Sequence, residues 1–361
     1  MDSLNEAREE IEKIDKEMAL LFTKRMGCAA KIAAYKKENG IPILDSGREK
    51  ALIEKNLKHL TDMSLEPFYR TFMKDVMNVS KEYQLKLTSE VKVSYHGIEG
   101  SFEDIQAKNL FPECKRIQCG SFEEAYKKVE NNEADYCLLP IENSFAGEVG
   151  VVTDIMFDGD LYINGVYGLS VSQCLLGTKD ATLDSVKTVV SHPQALSQCK
   201  SFIEEHGFRS VESDNTARAA REVAQQNDPT VAAIGSKEAA ELYSLKVLVP
   251  DINESRENTT RFGVFSKTRS EIPQGKTRTD IIMFTVKDEA GTLAKAISIL
   301  GEHGYNMRVL RSRPLKSVNW QYYFYAEVDG DITTSKGCKM MDKLKKQCEQ
   351  FKWIGSYVRE Q

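Results

Sequence analysis

The beginning of this 361-residue chain carries a helical apolar pattern that one glycine, Gly27, interrupts. A single glycine costs a helix only about 1 kcal/mol, so the pattern predicts one helix over residues 5–38, roughly 50 Å long. The apolar residues recur at steps of three and four, the spacing of one helix face: Leu4, Ile11, Ile14, Met18, Leu21, Phe22, Ala29, Ile32 and Tyr35.

A helix of that length cannot fold back on itself, so its apolar stripe needs another surface to cover it. The turn sequence NGIP at residues 39–42 ends the helix. Further helices are predicted after Asp45 and Ser46 and from about Glu66 to Lys86, which makes residues 1–87 an all-α domain. Two copies packed together would supply the missing surface, so we expect a homodimer or a higher homo-oligomer.

Residues 91–268 follow a different pattern, in which short apolar strands alternate with helices. The predicted strands are VKVSY, DYCLLPI, KTVVS and TVAAIG. The predicted helices are FEDIQAKNLF, FEEAYKKVEN, ALSQCKSFIEEHG, TARAAREVAQQN and SKEAAELYSL. This alternation predicts α/β sheets, and such sheets bind ligands where their strands end.

The last part of the chain begins after a polar linker, RSEIPQGKTR, at residues 269–278. Residues 279–361 then run strand, helix, strand, strand, helix, strand, which is the order of a ferredoxin-like α+β domain. The chain is therefore expected to be multidomain, with an all-α, an α/β and an α+β part.

The composition excludes several classes of protein. The net charge of −5 argues against broad nucleic-acid affinity. No apolar run approaches the roughly 20 residues that span a bilayer, and the polar, acidic start is unlike a secretory signal. The eight cysteines are scattered without a C-x-x-C pair, which predicts reduced thiols in the cytoplasm. No ligand cluster or complete dinucleotide-binding loop is present, so neither a metal nor an organic cofactor is implied.

Three basic residues of the first helix have a defined angular relation. Arg25 interrupts the apolar stripe, where a cation is costly unless it is paired. Lys36 follows 11 residues later, or three helical turns, and shares that face. Arg8 precedes Arg25 by 17 residues and lies about 100° around the helix. We therefore expect Arg8 to reach the pocket of a partner chain instead of the pocket in its own.

The segments MDSLNEAREEIEKID, LFTKRM and AAYKKENGIPILDSGREK resemble the all-helical class of chorismate mutase. In that family the long helix forms an intertwined dimer that donates one arginine across the interface, and Arg8 matches it. The resemblance implies that arginine forks hold the carboxylates of chorismate while Lys36 and Gln84 donate to its ether oxygen. Arg25, Lys36 and Gln84 are the implied catalytic residues. The implied chorismate-binding residues are Arg8, Arg25, Lys36, Asp45, Arg48, Glu49, Ser80 and Gln84; any one of them alone could equally belong to a surface ion pair.

Five motifs between residues 91 and 268 together resemble prephenate dehydratase. They are GIEGSFED (97–104), LPIENSFAGEVG (139–150), VVSHPQALSQC (189–199), SDNTARAA (213–220) and NTTRF (258–262). Alone, SHPQ could be a capped turn with Ser191 or His192 at the cap, and PIEN could be a polar turn after a strand. Together they imply a bilobal domain, similar to periplasmic binding proteins, that converts prephenate to phenylpyruvate in the cleft between its lobes.

Loss of the ring hydroxyl of prephenate requires a proton at the leaving oxygen. The resemblance assigns this role to Thr260, which we expect to act as an oriented hydrogen-bond donor. Thr259 is adjacent in an extended strand and should point the other way. The implied prephenate-binding residues are Asn143, Ser191, Gln198, Thr259 and Arg261.

The dehydratase motifs of this chain depart from the family pattern at four positions. Ile98 replaces proline, Phe102 replaces tyrosine and Glu103 replaces serine in the glycine-bearing first loop. Gln173 stands where many relatives have histidine. If the lost hydroxyls contact the substrate, these changes predict weaker dehydratase activity.

The segments AGTLAKAISILGEHGYNM and RSRP resemble the ACT regulatory module, with arginine in place of the usual glutamate at Arg311. The resemblance implies that this domain binds L-phenylalanine, although it could serve only for folding or dimerisation. The implied effector-binding residues are Gly291, Thr292, Leu293, Asn306, Arg311, Ser312 and Arg313.

These resemblances cover essentially the whole chain and predict a bifunctional chorismate mutase–prephenate dehydratase under phenylalanine control. Two alternatives remain at this stage. One is a mutase whose α/β part senses a ligand without turnover. The other is a helical dimerisation arm on a transport-type bilobal binding protein.

Overall fold

The computed structural model describes residues 2–39, 41, 46–255, 257–270, 272, 277–316 and 320–359, with the side chains of 2–3 and 46–50 excepted. The chain divides into two compact units, Met1–Glu90 and Val91–Gln361. Among the described helices, none is both long and apolar enough to cross a lipid bilayer.

The first unit contains three α-helices, as the sequence predicts: α1 (Asp2–Glu38), α2 (Ser46–Leu57) and α3 (Glu66–Thr88). Helix α3 begins after a short 3₁₀ turn, Met63–Leu65, that is capped by the side chain of Asp62. Helix α3 packs against both α1 and α2. The buried core of this unit is small and includes Ile53, Leu57, Met73 and Met77.

The apolar stripe of α1 remains largely exposed in the described chain. Ile11 is 56% exposed and Leu21 is 63% exposed, although both lie at the core-facing spacing of the helix. The other large apolar residues of the stripe behave in the same way: Leu4, Ile14, Met18, Phe22, Ile32 and Tyr35. One copy of this unit therefore presents a long apolar surface to solvent.

The α/β part of the second unit follows the predicted alternation of strands and helices. Its strands are β1 (Lys92–His96), β2 (Lys115–Cys119), β3 (Tyr136–Asn143), β4 (Gly147–Glu148), β5 (Tyr162–Ser170), β6 (Cys174–Gly177), β7 (Thr188–Ser191), β8 (Arg209–Glu212), β9 (Val231–Gly235), β10 (Lys246–Val249) and β11 (Thr259–Ser266). Its helices are α4 (Phe102–Leu110), α5 (Phe122–Glu130), α6 (Gly150–Asp158), α7 (Pro193–Gln198), α8 (Lys200–Glu205), α9 (Thr216–Gln226) and α10 (Lys237–Leu242).

These elements form two lobes around two sheets. One sheet has the order β5-β11-β3-β1-β2, and the other has the order β10-β6-β9-β7-β8. The chain passes from the first lobe to the second between β5 and β6 and returns between β10 and β11. This arrangement confirms the predicted bilobal fold. One predicted helix differs, because ALSQCKSFIEEHG is divided at Cys199 into the end of α7 and the whole of α8.

The C-terminal part has the predicted order of elements: β12 (Arg278–Thr285), α11 (Thr292–Glu302), β13 (Asn306–Pro314), β14 (Tyr322–Asp329), α12 (Ser335–Gln347) and β15 (Gln350–Val358). Its strands pair in the order β13-β14-β12-β15, which is that of a ferredoxin-like domain. The fold class predicted from the sequence is thus confirmed.

A glycine joins this C-terminal sheet to the first lobe of the α/β part. Gly355 of β15 pairs in parallel with Ile163 of β5. A β-carbon at position 355 would lie 2.3 Å from the Ile163 carbonyl oxygen, and the backbone there has a φ of +144°. Only glycine combines that conformation with so close an approach. The two predicted domains therefore share one extended sheet within a single compact unit.

Candidate active sites

In the helical unit, Arg25 of α1 contacts two residues that lie one turn apart on α3. Its guanidinium donates to the Val76 carbonyl oxygen at 3.3 Å and to the Ser80 hydroxyl. The Ser80 hydroxyl in turn donates to the same carbonyl at 2.9 Å. Because Ser80 and Gln84 are four residues apart, they share the face of α3 that meets α1.

Gln84 is buried next to this contact and leaves one polar atom without a partner. Its Nε2 donates to the Ser80 carbonyl oxygen at 3.2 Å. Its Oε1 is buried and has no partner among the described residues. An unpaired buried oxygen costs roughly 1–3 kcal/mol. Among the described residues, Gln84 Oε1 thus remains available to a hydrogen-bond donor.

The other predicted chorismate-binding residues are less fully assembled. Lys36 is half-buried on α1, whereas Arg8 is exposed and lies about 25 Å from Arg25 along the helix axis, at 1.5 Å per residue. Asp45 lies outside the described residues, as do the side chains of Arg48 and Glu49 on α2. The described part of one chain therefore brings together Arg25, Ser80 and Gln84.

In the second unit, a cavity of about 340 Å³ lies between the two lobes. Three of the residues predicted to meet prephenate line it, namely Asn143, Gln198 and Thr260. Gln173, one of the departures from the family pattern, also lines it and donates from Nε2 to Gln198 Oε1 at 3.4 Å. The cavity thus has a largely amide and hydroxyl wall on this side.

Asn143 fixes the Thr260 hydroxyl across two paired strands. The antiparallel register of β3 and β11 sets Thr260 opposite Asn143, and Asn143 Nδ2 donates to Thr260 Oγ1 at 3.0 Å. Asn143 Oδ1 accepts from the backbone amides of Phe145 and Ala146 at 3.0 and 2.9 Å, which fixes the orientation of the amide. Because Thr260 accepts from Asn143, its own proton remains to be donated into the cavity.

Two predicted prephenate ligands lie elsewhere. The Ser191 hydroxyl is fully buried and donates to the Ile234 carbonyl oxygen at 2.6 Å, so it does not line the cavity. Thr259 also faces away, as the alternation of an extended strand requires, and its backbone amide donates to Ser144 Oγ at 2.9 Å. In this structure both residues support the walls of the cleft without lining it.

Arg261 lies on the far side of β11 from the cavity and is held by an ionic network. Its guanidinium donates to Glu142 at 2.8 Å, to both carboxylate oxygens of Glu327 at 3.0 and 3.1 Å, and to the Tyr357 hydroxyl at 2.8 Å. Burial opposes ionisation of Glu327, but the Arg261 contacts outweigh it and lower the pKa of that carboxyl. The predicted substrate ligand Arg261 therefore links the cleft strand to the C-terminal domain.

Two arginines predicted to contact the effector also point toward the α/β part. Arg311 pairs with Glu142. Arg313 forms a forked pair with Asp154 at 2.9 and 3.1 Å and approaches Glu148 at 3.3 Å. Burial raises the pKa of Asp154, yet the bonds from Arg313, Tyr323 and Lys316 bring it down to about 2. The C-terminal domain is thus ion-paired to the lobe that carries Asn143.

The remaining predicted effector residues lie at the start of α11 and along β13. Gly291 has a φ of +85° and begins α11. The Thr292 hydroxyl donates to the carbonyl oxygens of Lys287 and Glu289 at 2.7 and 2.9 Å. Leu293 packs on the domain core, while Asn306 and Ser312 are exposed on β13.

The sequence assigned no role in the cleft to several further polar residues that line it, among them His96, Glu103 and His192. His192 accepts from the Gln194 amide at 3.2 Å through Nδ1 and caps α7, in accord with the capped-turn alternative for SHPQ. Burial lowers the pKa of both histidines. A departure from the family pattern at Glu103 was the one signal that pointed to it. No group of three or more potential metal ligands occurs in the described ranges.

Both units of the chain match known protein families. Residues 7–85 match the family described as chorismate mutase type II, and residues 93–270 match prephenate dehydratase. A bifunctional chorismate mutase/prephenate dehydratase of Aquifex aeolicus is 31% identical over 99% of this chain and 99% of its own length. That of Buchnera aphidicola subsp. Acyrthosiphon pisum is 30% identical over 98% of this chain and 96% of its own.

Two solved structures are similar to the second unit. Prephenate dehydratase of Arthrobacter aurescens, in complex with L-Phe, covers 74% of this chain and 90% of its own, with a TM-score of 0.69 and 25% identity. GqqA, described as a quorum quenching acylase, covers 74% of this chain and 98% of its own, with a TM-score of 0.68 and 28% identity. Since the bifunctional relatives match nearly the entire chain, it belongs to the family of bifunctional chorismate mutase/prephenate dehydratases.

Proposed function

We propose that this chain rearranges chorismate to prephenate in its helical unit and converts prephenate to phenylpyruvate in the cleft of its second unit. The observation that carries the proposal is the full-length similarity to bifunctional relatives. Two clusters of polar residues support it: Arg25 with Ser80 and Gln84 in one unit, and Asn143 with Thr260 in the other.

The rearrangement of chorismate is unimolecular. It requires only that the site hold the reactive shape of the substrate and stabilise its charges. Arg25 offers a fork for one carboxylate, and Gln84 and Lys36 stabilise the negative charge that grows on the ether oxygen. The second carboxylate requires another cation. Arg8 supplies it from a partner copy, because it is too far along α1 to serve the pocket of its own chain.

The homodimer that this site requires can form through the exposed apolar stripe of α1. The exposed stripe of α1 gives each copy an apolar face, and burying such a face between two copies is favourable at about 25 cal/mol per Å². We place the enzyme in the cytoplasm, where its eight free cysteines would stay reduced.

Feedback regulation by L-phenylalanine is the second part of the proposal, with the effector bound by the residues predicted around Gly291 and β13. An effector acts by its differential affinity for two states. Here strand neighbours provide the connection: Thr260 and Asn143 line the cavity, while the adjacent Arg261 and Glu142 contact the C-terminal domain. A shift of β13 or β14 would therefore reach the catalytic strands directly.

A single experiment tests this function. Purified protein is given chorismate or prephenate, with and without L-phenylalanine, while loss of chorismate and formation of phenylpyruvate in alkali are followed. Both turnovers, with the second inhibited by phenylalanine, are expected. Chorismate turnover without phenylpyruvate would favour the non-catalytic sensor, and no turnover at all would favour the transport-type binding protein.

A further inference from the structure

The dehydratase reaction consumes a proton that Thr260 cannot supply on its own. Prephenate is a dianion, whereas its products are the phenylpyruvate monoanion, carbon dioxide and water, so one proton is taken up per turnover. A threonine hydroxyl can pass a proton along a hydrogen bond, but it is not an acid that ionises near neutral pH. A titratable group in the same cavity is therefore needed as the source.

Four titratable side chains line the cavity in the described chain: His96, Glu103, His192 and Asp214. Burial lowers the pKa of His96 and of His192, so both imidazoles are biased toward the neutral, proton-accepting form. Asp214 has a side chain that is 82% exposed and is paired with Arg218 at 2.6 Å, so it is turned toward solvent and a cation. The two imidazoles are poorly suited to deliver a proton.

Glu103 has the opposite surroundings. It lies in the first turn of α4, the helix that the Ser101 side chain caps. No Lys or Arg pairs with it among the described residues. The residue is half-buried and lines the cavity, and its partial removal from water raises the pKa of its carboxyl above the ordinary range of a glutamate.

We propose that Glu103 is a catalytic acid of the dehydratase, resting on the proposed function, and that it supplies the proton that leaves with the ring hydroxyl while Thr260 orients that hydroxyl. The geometry that points to it is the shared cavity: Glu103 enters from α4 and Thr260 from β11. The Asn143 amide leaves the Thr260 proton free for the leaving oxygen.

The step balances without any further reagent. The O–H bond of the Glu103 carboxyl breaks as a new O–H bond forms on the ring hydroxyl, and the ring C–O bond breaks to release water with its electron pair. The bond between the ring and its carboxylate breaks as carbon dioxide leaves, and its electron pair completes the aromatic ring. Glu103 then regains its proton from solvent. A bound dianion favours the protonated carboxyl further, because it repels a second negative charge.

Glu103→Gln tests the assignment, because it keeps the size and neutrality of the protonated acid but cannot give up a proton. We expect kcat of the dehydratase to fall about 100-fold or more, which is the usual contribution of a general acid, while the mutase rate is unchanged. Glu99→Gln is the matched control. Glu99 is exposed in the same loop, 3.8 Å from Lys108, and its variant should keep both rates within twofold.

The pH profile adds a readout that a merely structural role would not change. The wild-type rate should fall on the alkaline side as Glu103 ionises, and Glu103→Gln should lack that fall. An infrared band of a protonated carboxylic acid, present on the acid side of that fall, should also disappear in this variant. Because burial disfavours ionised Glu103, its contribution to folding is full at low pH and is lost as pH rises, so the glutamine variant should unfold at an equal or higher temperature at pH 8.

The outcomes separate the two levels of the proposal. If wild-type protein forms no phenylpyruvate, the proposed function fails. If wild-type protein is active but Glu103→Gln stays within threefold of it, or keeps the alkaline fall, the Glu103 assignment alone is overturned. A clearly lower unfolding temperature for Glu103→Gln, or an unchanged infrared band, would overturn the description of Glu103 as a buried neutral acid.

Discussion

The two units of this chain treat their apolar and charged residues in opposite ways. The helical unit leaves large apolar side chains of α1 in solvent and buries only a small core. The second unit encloses its apolar residues in five clusters and buries carboxylates such as Glu327 against arginines. The apolar surface of the helical unit is the one that we propose a second copy covers, whereas the apolar clusters of the second unit are enclosed within one chain.

The contrast extends to the chemistry proposed for each unit. A pericyclic rearrangement needs only fixed cations and amides, so groups that keep one charge state suffice and can come from two chains. Dehydration needs a proton, so its site requires groups whose ionisation is set by enclosed surroundings. The helical unit, which exposes its apolar face, suits the rearrangement of chorismate. The second unit, which encloses its cleft, suits the dehydration of prephenate.

The largest effect on activity is expected from removing the Thr260 hydroxyl in the second unit. Thr260→Val preserves the shape of the side chain but removes the hydroxyl that Asn143 holds. Dehydratase kcat should fall by about 10² to 10⁴-fold, the range for a positioned proton donor. Mutase turnover by the same protein is the internal control, and a dehydratase rate equal to that of wild type would remove Thr260 from the mechanism.

The next largest effect is expected on the mutase activity of the helical unit. Arg25→Ala should lower mutase kcat/KM by about 10² to 10³-fold, as expected for loss of a charge-stabilising donor, with dehydratase turnover intact. Arg70→Ala is the matched control, because Arg70 lies in the same unit but pairs at its surface with Glu54 and Glu66. Full mutase activity in Arg25→Ala would place the site elsewhere.

Subunit mixing sharpens that prediction. Arg8→Ala and Arg25→Ala chains are each expected to be inactive alone. If Arg8 crosses the interface, half of the randomly mixed dimers are heterodimers with one intact site, which restores about a quarter of the wild-type mutase rate. No recovery after demonstrated subunit exchange would mean that both arginines serve the same chain.

A smaller effect is expected in the network that links the cleft strand to the C-terminal domain. Glu327→Gln removes the forked partner of Arg261, and breaking such a buried pair costs about 3 kcal/mol; the remaining Glu142 contact keeps the cost at this low end. Urea unfolding of the second unit measures it, and phenylalanine inhibition should weaken in parallel. Glu302→Gln, at an exposed site on α11, should change stability by less than about 0.5 kcal/mol.

The smallest effect is expected on how folding stability falls at acid pH. The pKa of Asp154 is held at about 2, below its ordinary value of 3.8, so the ionised form stabilises the fold by about 2 kcal/mol. That stability is full above about pH 4 and is lost as pH falls toward 2. In urea unfolding experiments at several pH values, Asp154→Asn should abolish the part of the loss of unfolding free energy at low pH that protonation of Asp154 causes. Asp158→Asn, one turn along α6, should retain it.

Much of the fold could be predicted from the chain. The length of α1 follows from a three- and four-residue repeat that only Gly27 interrupts, and the C-terminal order of elements follows from alternating periods of two and 3.6 residues. The opposite directions of Thr259 and Thr260 follow from strand alternation alone. Strands β2, β4, β5, β6, β8 and β10 were not predicted, because short segments take their strand character from their neighbours in the sheet.

The partners of the charged residues could not be predicted in this way. Arg311 and Arg313 were assigned to an effector, yet in this structure they meet Glu142, 169 positions away, and Asp154, 159 positions away. Ser191 was predicted to line the cleft, yet its hydroxyl satisfies the Ile234 carbonyl oxygen. Such pairings depend on how separate strands are brought side by side.

Local periodicity thus specified the helices, the lobes and the terminal domain, because secondary structure depends largely on interactions within a few residues. The motifs specified the family. The packing of distant segments specified which face of β11 meets the cavity and which carboxylates neutralise the arginines. It also specified that Glu103 lines the cavity with no cation paired to it among the described residues. These features depend on desolvation and charge pairing, and both are set only when the whole unit has folded.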